Sequence, residues 1–219
     1  LDFEQAVFGI VHAESQKSGD IATQTGSTTG LIKNCKIGDA VVTLGPDNTA
    51  AGAKIVVEAK ESASYDLAKS LAEIEEARKN RGASVGLFVH SKRTAPAGLT
   101  SLARYGQDVV LVWDAEDEST DVILLAGLAV AKALSVRAET HSREQAADFE
   151  SVERAIREIE KQIAGFEEIT TSANTVKSGG EKILKRATIM QEALSRQGAQ
   201  LEESLRSLQA AFSTNASDA

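Results

Sequence analysis

Apolar positions along the chain change period several times, and each change marks a different kind of element. Glu4 lies at helical spacing from Val7, Phe8 and Val11 in a first helix expected over residues 2–11, and so projects from its largely apolar face. After a turn at Ser18-Gly19-Asp20 come a weak strand, Ile21–Thr25, and a loop over residues 26–30. Two strongly apolar runs follow, Ala40-Val41-Val42-Thr43-Leu44 and Lys54-Ile55-Val56-Val57. The turn-forming Gly45-Pro46-Asp47-Asn48 between them predicts a hairpin-like link. Over residues 64–80, Leu67, Leu71, Ile74 and Ala77 define a helix, with Glu73, Glu75 and Glu76 expected to face outward. Ser84–His90 and Asp108–Trp113 read as further strands. Ala95-Pro96-Ala97-Gly98 breaks the chain before a short helix expected near Leu99–Arg104. The order α-β-β-β-α-β-α-β predicts an α/β sandwich with a mixed sheet flanked by helices.

From about Asp121 every pattern is helical. Residues 121–138 are too apolar to stand alone, so they should dock on the preceding domain or on a partner. From about Arg143 a heptad seam begins, with Phe149, Val152, Ile156, Ile159, Ile163 and Phe166 in alternating steps of three and four. After a slip near Ile169 it resumes at Ala173, Val176, Gly180, Ile183, Ala187, Met190 and Leu194, and ends with Leu201, Leu205, Leu208 and Phe212. The weak helix formers Thr170–Asn174 and Gly179-Gly180 leave two options, an antiparallel hairpin or one long helix. The expected division is an α/β domain over 1–120, a connecting helix over 121–142, a coiled coil or helical hairpin over 143–212 and a disordered tail over 213–219. A seam of this length predicts a homodimer or higher oligomer through the C-terminal helices.

Candidate chemistry sits on the two apolar runs. Asp39 opens the first, and nineteen positions later the second ends in Glu58-Ala59-Lys60. Side chains alternate along a strand, so Glu58 and Lys60 share a face. If the strands are neighbours, Asp39 and Glu58 converge at one end of the sheet. Two hard oxygen ligands there suit Mg²⁺ or Mn²⁺, and the Lys60 ammonium can hold or deprotonate an attacking water. The same residues also suit an ordinary half-solvated strand face.

Asp39, the triplet Glu58-Ala59-Lys60 and the helix and strands around them resemble the PD-(D/E)XK nuclease superfamily, with the restriction-endonuclease-like fold, over residues 1–115. Gly38 stands where the family name has proline. The resemblance implies a divalent-metal-dependent DNA nuclease. Asp39 and Glu58 would be the metal ligands, with the Val57 or Ala59 carbonyl a further one. Lys60 would orient the water, and Glu4, from the first helix, would support the site. The alternative is a catalytically inactive nuclease-like scaffold or adaptor that works through its coiled coil.

Charge qualifies this picture. The chain of 219 residues has a net charge of −8, and residues 1–140 carry 14 basic against 19 acidic groups. That is not the basic footprint of a domain gripping many phosphates. Carboxylates that await a cation account for part of the excess. Lys33, Lys36, Arg78 and Arg81 are the candidate nucleic-acid contacts. One cysteine, Cys35, excludes an internal disulfide, and His12, His90 and His141 lack metal-ligand spacing. No secretory signal is visible in the sequence, and the start at Leu1 suggests a piece of a longer protein. The apolar run over residues 122–131 is interrupted by Lys132 and is too short to span a bilayer, so a cytoplasmic, membrane-free protein is expected.

Overall fold

The structure, a computed structural model, describes residues 2–139 and 146–215, without the side chains of residues 146–150, 202, 204, 205 and 207–215. Helix α1 (Phe3–Lys17) precedes strands β1 (Ile21–Gln24), β2 (Ala40–Thr43) and β3 (Lys54–Lys60). Helix α2 (Leu67–Arg81), then β4 (Val85–Ser91), β5 (Leu102–Tyr105) and β6 (Asp108–Trp113) follow. A 3-10 turn (Glu118–Thr120) leads into α3 (Asp121–Glu139), and α4 (Ala146–Asn215) is one uninterrupted helix. The chain divides into two compact units, Leu1–Glu167 and Glu168–Ala219.

The first unit is an α/β domain on a mixed six-stranded sheet in the order β1-β2-β3-β4-β6-β5. The central β3-β4-β6 strands are parallel, and β1, β2 and β5 join antiparallel at the flanks. The continuous apolar sequences of β4 and β6 reflect burial on both faces, as parallel strands under helices require. Ile55, Val57, Leu87, Val89 and Leu111 face one side of the sheet, with Val7 and Val11 of α1 and Leu124, Leu128 and Leu134 of α3 in the same core. Val56, Phe88 and Val110 face the other side, where Ile74 and Ala77 of α2 cover them. Asp66 caps α2 by accepting a hydrogen bond from the Lys69 amide at 2.8 Å, and Gly82 ends it in the left-handed conformation.

Where a short helix was expected near Leu99–Arg104, the chain instead forms strand β5, antiparallel to β6. The Ser101 carbonyl accepts the Val112 amide at 3.0 Å, which draws the segment alongside β6, and Leu102 is buried as a strand residue. This edge strand is covered by the first part of α4. The Glu160 carboxylate accepts the Arg104 amide at 3.2 Å, and Glu153 pairs with the Arg104 guanidinium at 2.7 Å. Glu167 takes the Ser101 hydroxyl. One backbone donor on the open edge is thereby occupied, and its flanking side chains are paired.

The first half of the heptad seam therefore serves the domain core. Ile156 and Ile163 are buried in it, and Val152 and Ile159 pack against it. Helix α3 also docks on the sheet, as its composition demanded. With the turn before it, α3 is long and apolar enough to cross a membrane, although the run over residues 122–131 alone seemed too short. In this fold Ile123, Leu124, Val130 and Ala131 are buried in the domain core.

The second unit is the remainder of α4. The hairpin option falls, because Gly179 and Gly180 lie inside the helix. Residues 213–215, expected to belong to a disordered tail, continue the helix to Asn215. Val176, Ile183, Met190 and Leu194 on the second half of the seam are all more than half exposed. Residues 140–145 (including His141 and Arg143), residues 216–219, and the side chains of Phe149, Leu205, Leu208 and Phe212 lie outside what is described.

Candidate active site

Asp39 immediately precedes β2, and the β2–β3 register sets Ala40 opposite Val57. Each carboxylate is held by the backbone beside the other. The Gly38 amide donates to Glu58 Oε2 at 2.7 Å, and the Ala59 amide donates to Asp39 Oδ2 at 2.8 Å. The Asp39 amide in turn donates to the Val57 carbonyl at 3.0 Å. The two acids are thus brought together at the strand ends by the last bonds of the ladder.

Gly38 is needed at this point. Its φ is +99°, and a Cβ there would lie 2.7 Å from Arg81 Cγ and 2.9 Å from Val56 Cγ2. A proline can neither adopt that φ nor supply the N–H that Glu58 accepts.

Lys60 lies on the α2 face with Glu58, as strand parity requires. Its Nζ is 2.6 Å from Glu58 Oε1 and 3.0 Å from Glu73 Oε1. The Tyr65 hydroxyl donates to Glu73 Oε2, and the Lys60 ammonium sits 5.7 Å from the centre of the Tyr65 ring. Glu73 was expected to face outward; instead its carboxylate is largely buried on Lys60. Leu67 and Leu71 pack, half-buried, against the α2 side of the sheet, in line with the predicted stripe. Beside Ile74 and Ala77, the same stripe also buries Ser70, Asn80 and Arg81, whose polar partners lie on β4 and on the loop before β2. The polar members of that stripe were the signal, and hydrophobic spacing alone does not register them.

Glu4 is solvent-exposed and lines a cleft with Asp39, between α1, β2, β3 and the loop after β1. Arg81 is buried, and its Nη2 donates to the carbonyls of Thr25, Thr28 and Lys36. Asn80 fixes the same loop by donating to the Cys35 and Ile37 carbonyls and accepting the Ile32 amide. Arg78 is paired with Asp108 at 2.7 Å. Lys33 and Lys36 are exposed on the loop. Of the four candidate nucleic-acid contacts, these two lysines face solvent, whereas both arginines are engaged inside the domain.

The electrostatics follow from burial. Glu58 is 1 % exposed, and loss of water together with the neighbouring Asp39 charge pushes its carboxyl up to about 8, against the pull of Lys60. Burial also raises Asp39, although the Ala59 amide and Lys60 oppose the shift. For Lys60, desolvation is outweighed by Glu58 and Glu73, which hold the amine protonated well above its ordinary range. Burial works against the Glu73 charge, but the Tyr65 hydroxyl and Lys60 outweigh it and hold that carboxyl below its ordinary value. Glu4 is raised by partial burial and by the charges of Asp39 and Asp2. Four carboxyl groups therefore share the field of one ammonium and one buried guanidinium, and a divalent cation would favour their full ionisation.

The donor set fits such an ion. Asp39 and Glu58 offer hard oxygens, and among the described residues no group of three or more His, Cys, Asp or Glu side chains is placed to hold a metal. Two carboxylates completed by water and substrate oxygens are a pattern suited to Mg²⁺, whereas structural zinc requires a closed set of four. His90, buried on β4 with its Nε2 2.9 Å from Ser70 Oγ, belongs to the packing under α2. Comparison of the chain with protein-family models, with curated proteins and with solved structures finds no match.

Proposed function

We propose that the chain is a divalent-metal-dependent nuclease that hydrolyses DNA phosphodiesters, and that its resemblance to the PD-(D/E)XK superfamily reflects this chemistry. The observation that carries the reading is the reciprocal clamp: Gly38 N–H on Glu58 and Ala59 N–H on Asp39, with Lys60 2.6 Å from Glu58. Backbone donors hold two acids together in a partly buried place where their charges repel, which costs stability unless a cation joins them. Asp39 and Glu58 would hold Mg²⁺ or Mn²⁺, which when bound supplies Lewis acidity and a more acidic water.

Lys60 acts as a charged donor, not as a general base, because its neighbours keep it protonated. It orients the attacking water or a non-bridging phosphate oxygen. Glu73, steadied by the Tyr65 hydroxyl, keeps the ammonium in place when Glu58 turns to the cation. Glu4, across the cleft from the strand ends, orients further water. The exposed stripe Val176–Leu194 on the second unit supports a second element of the reading, self-association through α4, which would place two active sites in one particle.

Calorimetry with Mg²⁺ and Mn²⁺, and cleavage assays on single- and double-stranded DNA, test the proposal. Asp39→Ala and Glu58→Ala should lose both metal binding and cleavage, and Lys60→Ala should lose cleavage while retaining the ion. A wild-type chain that binds neither ion and cuts neither substrate would transfer the function to the scaffold reading.

A further inference from the structure

The cleft beside Asp39 has a volume of about 310 Å³, and the hydrolytic reading leaves its alkyl, aromatic and amide lining unused. Its floor is alkyl, formed by α1 together with β2 and β3; the half-buried Phe8 ring lines it, and the exposed amides of Gln5 and Gln24 lie along its rim. Asp39 also lines it. One oxygen, Oδ2, is fixed by the Ala59 amide, while Oδ1 lies 3.3 Å from the point where a side chain on Gly26 would begin. Glycine at position 26, which also lines the cleft, therefore leaves the space beside that oxygen uncrowded. A group seated there adjoins whatever binds at Asp39.

The chemistry of the walls selects the occupant. Glu4 and Asp39 repel a phosphate from the cleft itself, whereas an alkyl floor, an aromatic ring and two amides suit a flat, uncharged heterocycle. The amides can each donate and accept, which matches a base edge, and Glu4 can accept from an exocyclic amine. We propose that the cleft receives the unpaired nucleobase of the nucleotide adjoining the scissile phosphate, so that the preferred substrate is single-stranded or locally opened DNA. A paired, stacked base is not accessible to such a pocket. This inference rests on the nuclease reading for the position of the phosphate.

The test uses the intact chain and its Lys60→Ala variant in Mg²⁺, with a short single-stranded DNA carrying one 2-aminopurine at each position in turn. The control is the same strand with an abasic residue at that position. At the position occupying the cleft, 2-aminopurine fluorescence should change on binding, and the abasic strand should bind about tenfold or more weakly, as loss of one stacked base entails. Phe8→Ala and the exposed Gln24→Ala should each weaken the intact strand and leave the abasic strand and the Mg²⁺ affinity unchanged. The Gln24 variant keeps the test sound if Phe8→Ala disturbs the core. Cleavage with no dependence on any base, or equal losses on intact and abasic strands, would overturn the cleft assignment and leave the nuclease reading standing. Base-dependent binding of a strand that is never cut would uphold the cleft and remove the nuclease reading. No binding of either strand overturns both.

Discussion

Glu58 should make the metal-free protein less stable as pH rises, a direction opposite to that of most paired carboxylates. Its folded carboxyl titrates at about 8 and its unfolded one near 4.5. Between those values the folded state retains a proton that the unfolded state has released. Stability is then fully present below the unfolded value and is lost as pH climbs toward 8. For an isolated group that separation corresponds to about 5 kcal/mol, at about 1.4 kcal/mol per pH unit. Asp39 and Glu58 exchange their influence over one another, so we expect roughly half of that across pH 5.5–8.5. Lys60 stays protonated in both states over this window and adds no slope. Glu73, held below its ordinary value, acts only on the acid side. Urea unfolding in chelator at half-unit pH steps measures the effect. The wild type should lose about 2–3 kcal/mol over the window, and Glu58→Gln should flatten the curve and exceed the wild type above pH 7. Mg²⁺ should restore wild-type stability at pH 8 and leave the glutamine variant unchanged. Buried His90, held below its ordinary value, opposes this slope on the acid side of the window, so the comparison with Glu58→Gln carries the result; an equal slope in the two proteins would refute the assignment of this proton to Glu58.

Further outcomes follow from the same geometry. An ion held by Glu58 would displace its proton, so Mg²⁺ affinity should rise with pH to about 8 and then level; calorimetry in buffers of different ionisation enthalpy should count close to one proton released per ion below that point. Gly38→Ala places a methyl 2.7 Å from Arg81 Cγ at a φ of +99°, which should cost about 1–3 kcal/mol and lower Tm by roughly 3–10 °C in calorimetric scans. Ile156→Ala should destabilise the α/β domain by about 2–5 kcal/mol in urea unfolding, whereas Ile183→Ala on the exposed stripe should leave monomer stability within about 0.5 kcal/mol and act only on assembly, read by light scattering.

Much of the architecture is legible in the sequence because local patterning and tertiary environment agree there. The apolar runs of β2, β3, β4 and β6 and the apolar α3 all carry their burial in their composition. The meeting of Asp39, Glu58 and Lys60 follows from strand parity once β2 and β3 pair. What the sequence hid depends on distant partners. Leu99–Arg104 resembles a short helix until β6 offers an edge to Leu102–Tyr105 and α4 covers it. Glu73 resembles a solvated helix residue until Lys60 and Tyr65 meet it across the α2–sheet interface. The heptad seam has one period but two fates, since the sheet core claims Ile156 and Ile163 and leaves Val176 and Ile183 exposed.

The reciprocal clamp at Asp39 and Glu58 also bears on how the chain finds its fold. Sliding β2 by two residues along β3 would keep every apolar side chain on its proper face, so hydrophobic patterning alone penalises that error weakly. The carboxylates would detect it. Gly38 would no longer reach Glu58, Ala59 would no longer reach Asp39, and two acids would be left inside the domain without their amide donors. A misregistered sheet is therefore unfavourable at the very residues proposed to bind the ion, and a chain that reaches its stable pairing has, by the same bonds, assembled its site.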